Sequence, residues 1–302
     1  MVIGFLACVA LIRHLSRGFT DNPQHITNAA LYSLIGGVVG ARLFFVIHYF
    51  DSFRSNPVEV IAIWRGGLEL AGGVVVAIIV ILFYMWYHKL PIRRYLDVLA
   101  IGLMLVLVFG RIGCFLNGCC YGKPTELPWG VRFPYGSFAY HSQISPDLDR
   151  NRPEPYLELP DDFFGYTDEN GRWHPGLKPF EYLTEKQKIQ VTEGKYRSLT
   201  VHPTQLYSSG MAAFWCLMLY LFWRRAKKAG FSGRFLTKPG FTFALMFIVY
   251  GTTRFLMEFI RDDNPFEFDG ITISQIIGAG MVLLGIILMA VFRQMKAPNQ
   301  NN

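Results

Sequence analysis

Apolar residues run in blocks along this chain, and polar residues gather between the blocks. Six stretches, 29–50, 66–87, 95–117, 204–223, 240–260 and 271–292, are each about as long as a bilayer crossing requires. A shorter one, VIGFLACVALI (2–12), opens the sequence. These runs lack the polar and apolar alternation that a soluble protein would need. The pattern predicts an all-α polytopic membrane protein of about seven transmembrane helices. The first stretch is too short to span alone and lacks the charged leader and cleavage site of a signal peptide. We expect it to be a truncated first span.

One long segment interrupts the pattern. Residues 123–203 are rich in proline, tyrosine and charge of both signs, as in PDLDRNRPEPYLELPDDFFGY (146–166). The expected organisation is helices 1–4 with the polar end of the fourth (1–122), an extracytoplasmic insertion acting as a head or lid (123–203), and helices 5–7 with a cytoplasmic tail (204–302). Tracts such as PEPYLELP would supply short strands for the head.

Composition agrees with a membrane protein, since 52% of the chain is hydrophobic and 17% is charged, against roughly 25% charged in soluble proteins. The net charge of +7 raises the question of nucleic acid, but its distribution answers it. Arg13 and Arg17, then Lys89, Arg93 and Arg94, follow the first and third stretches. Arg224, Arg225, Lys227, Lys228, Arg234 and Lys238 fill the connection after the fifth, and Arg293 and Lys296 follow the last. These are alternate connections, so the positive-inside rule places them in the cytoplasm. The N-terminus is then outside and the C-terminus inside. The final outward connection carries Asp262, Asp263, Glu267 and Asp269. The basic excess is a topology signal, and no nucleic-acid partner is expected.

Ionisable groups inside a bilayer are costly, so each is a functional hypothesis. With this topology Arg42 falls in the outer half of the second span. Arg65 and Glu69 stand at the outer entrance of the third, and Arg111 and Asn117 near the outer end of the fourth. The fifth begins just after VHPTQLY (201–207), which puts His202 and Gln205 outside or at the outer interface. Tyr250, Arg254 and Glu258, spaced i, i+4, i+8, share one face of the sixth, and Arg261 follows one turn on. A single such arginine could snorkel, and Arg254 with Glu258 could be a structural pair. Several arginines at one depth repel one another, and an anion relieves that repulsion. Arginine suits bidentate phosphate contact, and at that depth the natural phosphate belongs to a lipid headgroup.

Cys8 and Cys216 sit at lone apolar positions and read as packing. Cys114, Cys119 and Cys120 cluster at the outward end of the fourth span, where a disulfide or redox pair is open. Metal ligation is the weaker reading, because the spacing fits no standard zinc pattern.

The segment GRIGCFLNGCCYG (110–122) resembles the signature of the bacterial prolipoprotein diacylglyceryl transferases. GARLFF, WRGGLELAGG, HPTQLY, YGTTRFLMEFIRDDNP and ITISQIIG also resemble that family's blocks, in its order. The resemblance implies an inner-membrane transferase. It would move the diacylglyceryl group of phosphatidylglycerol to the lipobox cysteine thiol in the signal peptide of a preprolipoprotein, forming a thioether and releasing glycerol phosphate. Its partners would be that lipid, that peptide and the surrounding membrane lipid, with no cofactor and no metal. By resemblance the catalytic candidates are Arg111, Arg254 and Glu258. The substrate-binding candidates are Arg111, Asn117, Gly122, Tyr250, Arg42, His202 and Arg261. The chain departs from the family at Cys114, where many members carry Asn, at Cys119, where they carry Glu, and at Ala71, where well-known members carry His. A histidine base is therefore not expected here; Glu258, a water near Arg111, or a thiol that arrives ionised would serve, with Glu69 a further substitute. The alternatives from other classes are a membrane thiol oxidoreductase using Cys119 and Cys120, and an anion or lipid transporter. The paired half-repeats expected of a transporter are not seen in the sequence.

Overall fold

The computed structural model describes residues 2–295 apart from 18, 20, 21, 23, 55, 56, 232–234 and 269. Arg234, Asp269 and Lys296, counted among the connecting charges, lie outside the described residues, as does the side chain of Arg65. In chain order the helices are α1 (Val2–Ser16), α2 (Gln24–His48), the single turn α3 (Phe50–Phe53), α4 (Leu70–Tyr87), α5 (Ile92–Asn117), α6 (Phe138–Ile144), α7 (Glu185–Thr192), α8 (Thr204–Lys228), α9 (Phe241–Met257) and α10 (Ile273–Gln294). Strands β1 (Phe164–Thr167) and β2 (Trp173–Leu177) form an antiparallel pair.

Each apolar stretch of the sequence carries one helix: α1, α2, α4, α5, α8, α9 and α10. Of these, α2, α5, α8 and α10 are long and apolar enough to cross a bilayer, and the others are apolar but shorter. On α2, Leu31, Ile35, Val39, Leu43 and Ile47 recur every fourth residue and all stand exposed. Such a stripe in water would form an apolar patch of the kind that soluble monomers avoid, whereas lipid tails solvate it. This is a membrane protein.

The chain divides into two compact units. One comprises Val2–Leu103, Leu219–Phe243 and the chain from Met289 onward. Its closest helix contact is between α2 and α4, where small residues let the backbones approach. A Cβ added at Gly40 would lie 2.5 Å from the Val76 side chain and 2.8 Å from the Gly72 carbonyl. In the same unit the buried Asp97 carboxylate accepts the backbone N–H of Gly240 at 2.7 Å and of Phe243 at 3.0 Å. It thereby satisfies donors that the start of α9 would leave orphaned, and opposes the positive end of that helix's dipole.

The other unit comprises Met104–Met218 and Ala244–Leu288, and contains the whole 123–203 insertion. The insertion has its own small core of Phe163, Leu183 and Val191, with Tyr135, Leu159, Leu177 and Tyr196 packed against it. Local signals fix its helices. Ser137 caps α6 by accepting the N–H of Tyr140, and Thr184 with Gln187 forms a capping box on α7. The PEPYLELP tract lies outside the sheet; its prolines lack the N–H that a ladder needs. The strands form downstream of it instead.

Candidate functional site

Within this second unit, α5, α8 and α9 line an open crevice. Met104, Leu107, Ala212, Trp215 and Met257 make much of its wall apolar. Met104, Leu107 and Arg111 follow i, i+3, i+7 on α5, and Tyr250, Arg254 and Met257 follow i, i+4, i+7 on α9, so each set shares one helix face. Arg111 and Arg254 thus enter the same apolar crevice from two helices, with Tyr250 beside them. Among the described residues the Arg111 guanidinium has neither a hydrogen bond nor an ion pair. An unpaired cation in an apolar wall favours an anionic ligand.

Arg254 is held on its other side. It donates to the Ser274 hydroxyl, and its Nη2 lies 3.6 Å from Oε2 of Glu258. That same oxygen is 3.9 Å from Nε of Arg261 and accepts no hydrogen bond among the described residues. The Asn264 amide donates to Glu258 Oε1 at 2.6 Å and to Ser274 at 3.3 Å. Arg261 makes a bidentate pair with Asp263, at 2.8 and 2.7 Å. Glu258 and Arg261 are both 3% exposed, so the buried Glu258 carboxylate offsets Arg254 and adds to the charge that Asp263 already sets against Arg261. Helix α9 stops at Met257, and Glu258 begins the turn that carries Arg261 back toward the signature segment.

The backbone of that segment is knitted from both sides. Lys123 N–H donates to the Ile260 carbonyl at 2.9 Å, and Asp262 N–H to that of Tyr121 at 3.3 Å. On the other edge Gly122 N–H donates to the His202 carbonyl, and His202 N–H to that of Lys123, each at 3.0 Å. Gly122 is required there, since a Cβ would stand 2.6 Å from His202 Cβ and 2.8 Å from its carbonyl oxygen. Arg150, buried within the insertion, clamps the turn by donating to the carbonyls of Arg261, at 2.8 Å, and Asn264. It also faces Asp262 at 3.5 Å. Burial raises the Asp262 carboxyl above its ordinary value, and Arg150 pulls against that rise.

The remaining expected site residues are placed differently. His202 acts through its backbone, and its Nδ1 sits 3.3 Å from the Tyr207 hydroxyl. Asn117 ends α5 exposed, and it is not among the crevice-lining residues. Arg42 belongs to the first unit, where it donates to the carbonyls of Val60, Gly66, Gly67 and Glu59 at 2.5–2.8 Å. The Phe45 and Phe53 rings flank it. It braces the 57–67 loop. Ala71 and Glu69 also lie in that unit, and Glu69 faces His48 at 3.6 Å.

Arg150, Asp263, Asn264 and Ser274 join this network without being among the expected site residues. The last three lie inside blocks already quoted, DDNP and ITIS; Arg150 carried no local signal. The sulfur atoms of Cys114, Cys119 and Cys120 all fall within 4.8 Å of one another.

Fold and site together define a helical membrane protein with an arginine-lined apolar crevice beside a knitted signature loop. A family model described as "Prolipoprotein diacylglyceryl transferase" matches residues 1–291. The chain is 28% identical to the phosphatidylglycerol–prolipoprotein diacylglyceryl transferase of Clostridium tetani (strain Massachusetts / E88), covering 98% of this chain and 92% of that one. It is 27% identical to the enzyme of the same name from Roseobacter denitrificans (strain ATCC 33942 / OCh 114), covering 96% and 86%. A third, from Burkholderia orbicola (strain MC0-3), is 27% identical over 99% and 90%. The chain belongs to the prolipoprotein diacylglyceryl transferase family.

Proposed function

We propose that this transferase moves the diacylglyceryl group of phosphatidylglycerol to the lipobox cysteine thiol of a preprolipoprotein. A thiolate sulfur attacks the glyceryl carbon that bears the phosphate; the carbon–oxygen bond to phosphate breaks, and glycerol phosphate leaves with the electron pair. Catalysis then requires the carbon to be held in line and the departing phosphate charge to be met by fixed cations. The observation that carries this reading is the entry of Arg111 and Arg254 into one apolar crevice. There they would grip the phosphate while the acyl chains lie along the apolar wall. Glu258 and Asn264 position Arg254 and Arg261, Tyr250 orients the headgroup, and Gly122 and His202 set the loop.

The seven apolar helices would all cross the bacterial inner membrane, N-terminus outside and C-terminus cytoplasmic. The 123–203 insertion would face outward as a head over the crevice. The positive residues of alternate connections support this orientation.

The test is to incubate the purified protein with phosphatidylglycerol and a lipobox peptide, and to weigh the peptide by mass spectrometry. A diacylglyceryl mass gain on the cysteine peptide and none on its Cys→Ala counterpart is the expected result. No gain on either peptide overturns the reading.

A further inference from the structure

The crevice wall holds no histidine or carboxylate among the described residues, and Glu258 is bracketed by two guanidiniums. An incoming thiol, with an ordinary pKa of about 8.5, meets no evident proton acceptor there. One turn beyond Arg111 on α5 stands Cys114, and the Cys119 and Cys120 sulfurs return to it.

Local structure builds that convergence. Cys119 N–H donates to the Cys114 carbonyl at 3.2 Å, and the Cys119 thiol points to the same oxygen at 3.6 Å. Cys120 takes a left-handed backbone conformation, φ +59°, which is uncommon for a side chain other than glycine, asparagine or aspartate. Its carbonyl is pinned by the Thr204 hydroxyl, and the Cys119 carbonyl by the Gln205 amide, each at 2.6 Å. Thr204 and Gln205 are buried. Burial raises the Cys120 thiol above its ordinary value, Asp263 and Cys119 push the same way, and Arg261 and Arg111 pull against that rise.

We propose that Cys114, Cys119 and Cys120 form a three-thiolate site for a zinc-class divalent cation, whose open fourth position takes the lipobox thiol as a thiolate. This extension rests on the transfer reading above. Zinc–sulfur bonds of about 2.3 Å set tetrahedral sulfur–sulfur edges near 3.8 Å, so sulfurs within 4.8 Å of one another close by at most about one ångström, within reach of side-chain rotation. Three protein ligands with an open position is the arrangement of catalytic rather than structural zinc, and a coordinated thiol loses its proton outright. Three thiolates and a divalent cation carry one net negative charge, two once a fourth thiolate binds, and Arg111 and Arg261 are placed to offset it. The step balances: the thiol proton goes to solvent as the metal–sulfur bond forms. The sulfur then gives its electron pair to the glyceryl carbon, and the phosphate departs with the pair from the broken carbon–oxygen bond. The resulting thioether is a weaker ligand and leaves the metal.

The test uses the full chain in detergent with its thiols kept reduced, titrated with Co²⁺ and then Zn²⁺. The expected result is one cobalt per chain with thiolate charge-transfer absorption, displaced by zinc. Affinity should weaken at least about tenfold in each of Cys114→Ser, Cys119→Ser and Cys120→Ser, and stay unchanged in Cys8→Ser and Cys216→Ser. On the wild-type protein, where no variant has to fold, zinc should protect those three thiols from maleimide and no others. The lipobox peptide, but not its Cys→Ala form, should alter the charge-transfer band. Absence of that band, or its survival in all three variants, overturns the site. Unchanged transfer after chelation overturns thiol delivery while leaving the transfer reading intact. A cobalt site that responds to the peptide without any diacylglyceryl gain sinks the transfer reading and keeps the metal site.

Discussion

Arg254 reaches Glu258 across one helical turn, with 3.6 Å between Nη2 and Oε2. That oxygen also faces Arg261 at 3.9 Å, but Arg261 already pairs with Asp263 at 2.7 Å, so it is chiefly Arg254 that Glu258 offsets. Removing one partner of a buried pair costs about 3–5 kcal/mol, because the remaining charge is left uncompensated. Glu258→Ala should therefore lower the thermal unfolding temperature in detergent markedly. Glu258→Gln, which keeps the volume and an oxygen for Asn264, should fall between the two. Equal melting of wild type and Glu258→Ala would contradict the network.

Gly122 is a second sensitive point. Its missing side chain lets the signature loop pass His202, where a Cβ would come within 2.6 Å. Gly122→Ala should force the two segments apart and destabilise by about 1–3 kcal/mol, the usual range for overpacking. Hydrogen exchange followed by mass spectrometry should show faster exchange at position 122 and at His202, whose N–H groups bond between these two segments.

Asp97 predicts an effect with no bearing on substrate. Two backbone donors at the start of α9 depend on its carboxylate. Asp97→Ala leaves them unsatisfied in a buried setting and should cost about 1–3 kcal/mol. Asp97→Asn, with one amide oxygen to accept, should recover part of that loss in the same thermal melt.

The helices were legible because apolar stretches of bilayer length have few other ways to satisfy their backbones, and each became a helix. Arg111, Tyr250 and Arg254 were legible for a local reason: helical spacing puts the last two on one face, and only the meeting of the two helices had to be supplied. Arg150 and Asp97 were not, since their partners lie more than a hundred residues away. The carbonyl cage around Arg42 was not legible either, because it is formed by a loop that sequence pattern does not fold. The three cysteines match no metal spacing because a left-handed turn at Cys120, not a helix or knuckle period, brings them together.

The insertion offers a test by pH. A hydrogen bond from His174, and then the Arg172 N–H, hold the Asp168 carboxyl below its ordinary value. A depressed folded-state value means that the stabilisation is present above the unfolded value, near pH 4, and is lost as pH falls through the lower folded one. Protection of the amides in the β1–β2 hairpin, taken relative to their intrinsic exchange rates, should fall below about pH 4. Asp168→Asn should abolish that step and show the lower protection already at neutral pH, because the carboxylate that supplies the stabilisation is gone.

The central claim is that Arg111 meets the phosphate of the lipid substrate. Its most direct measurement is the initial rate of diacylglyceryl transfer to a lipobox peptide, wild type against Arg111→Ala and Arg111→Lys, with folding checked by thermal melt. Loss of one donor to a developing anion costs about 100- to 1,000-fold in rate, so Arg111→Ala should fall by that much. Arg111→Lys, which keeps the charge without the bidentate fork, should recover only part. A folded Arg111→Ala protein that transfers within about twofold of wild type would contradict the account.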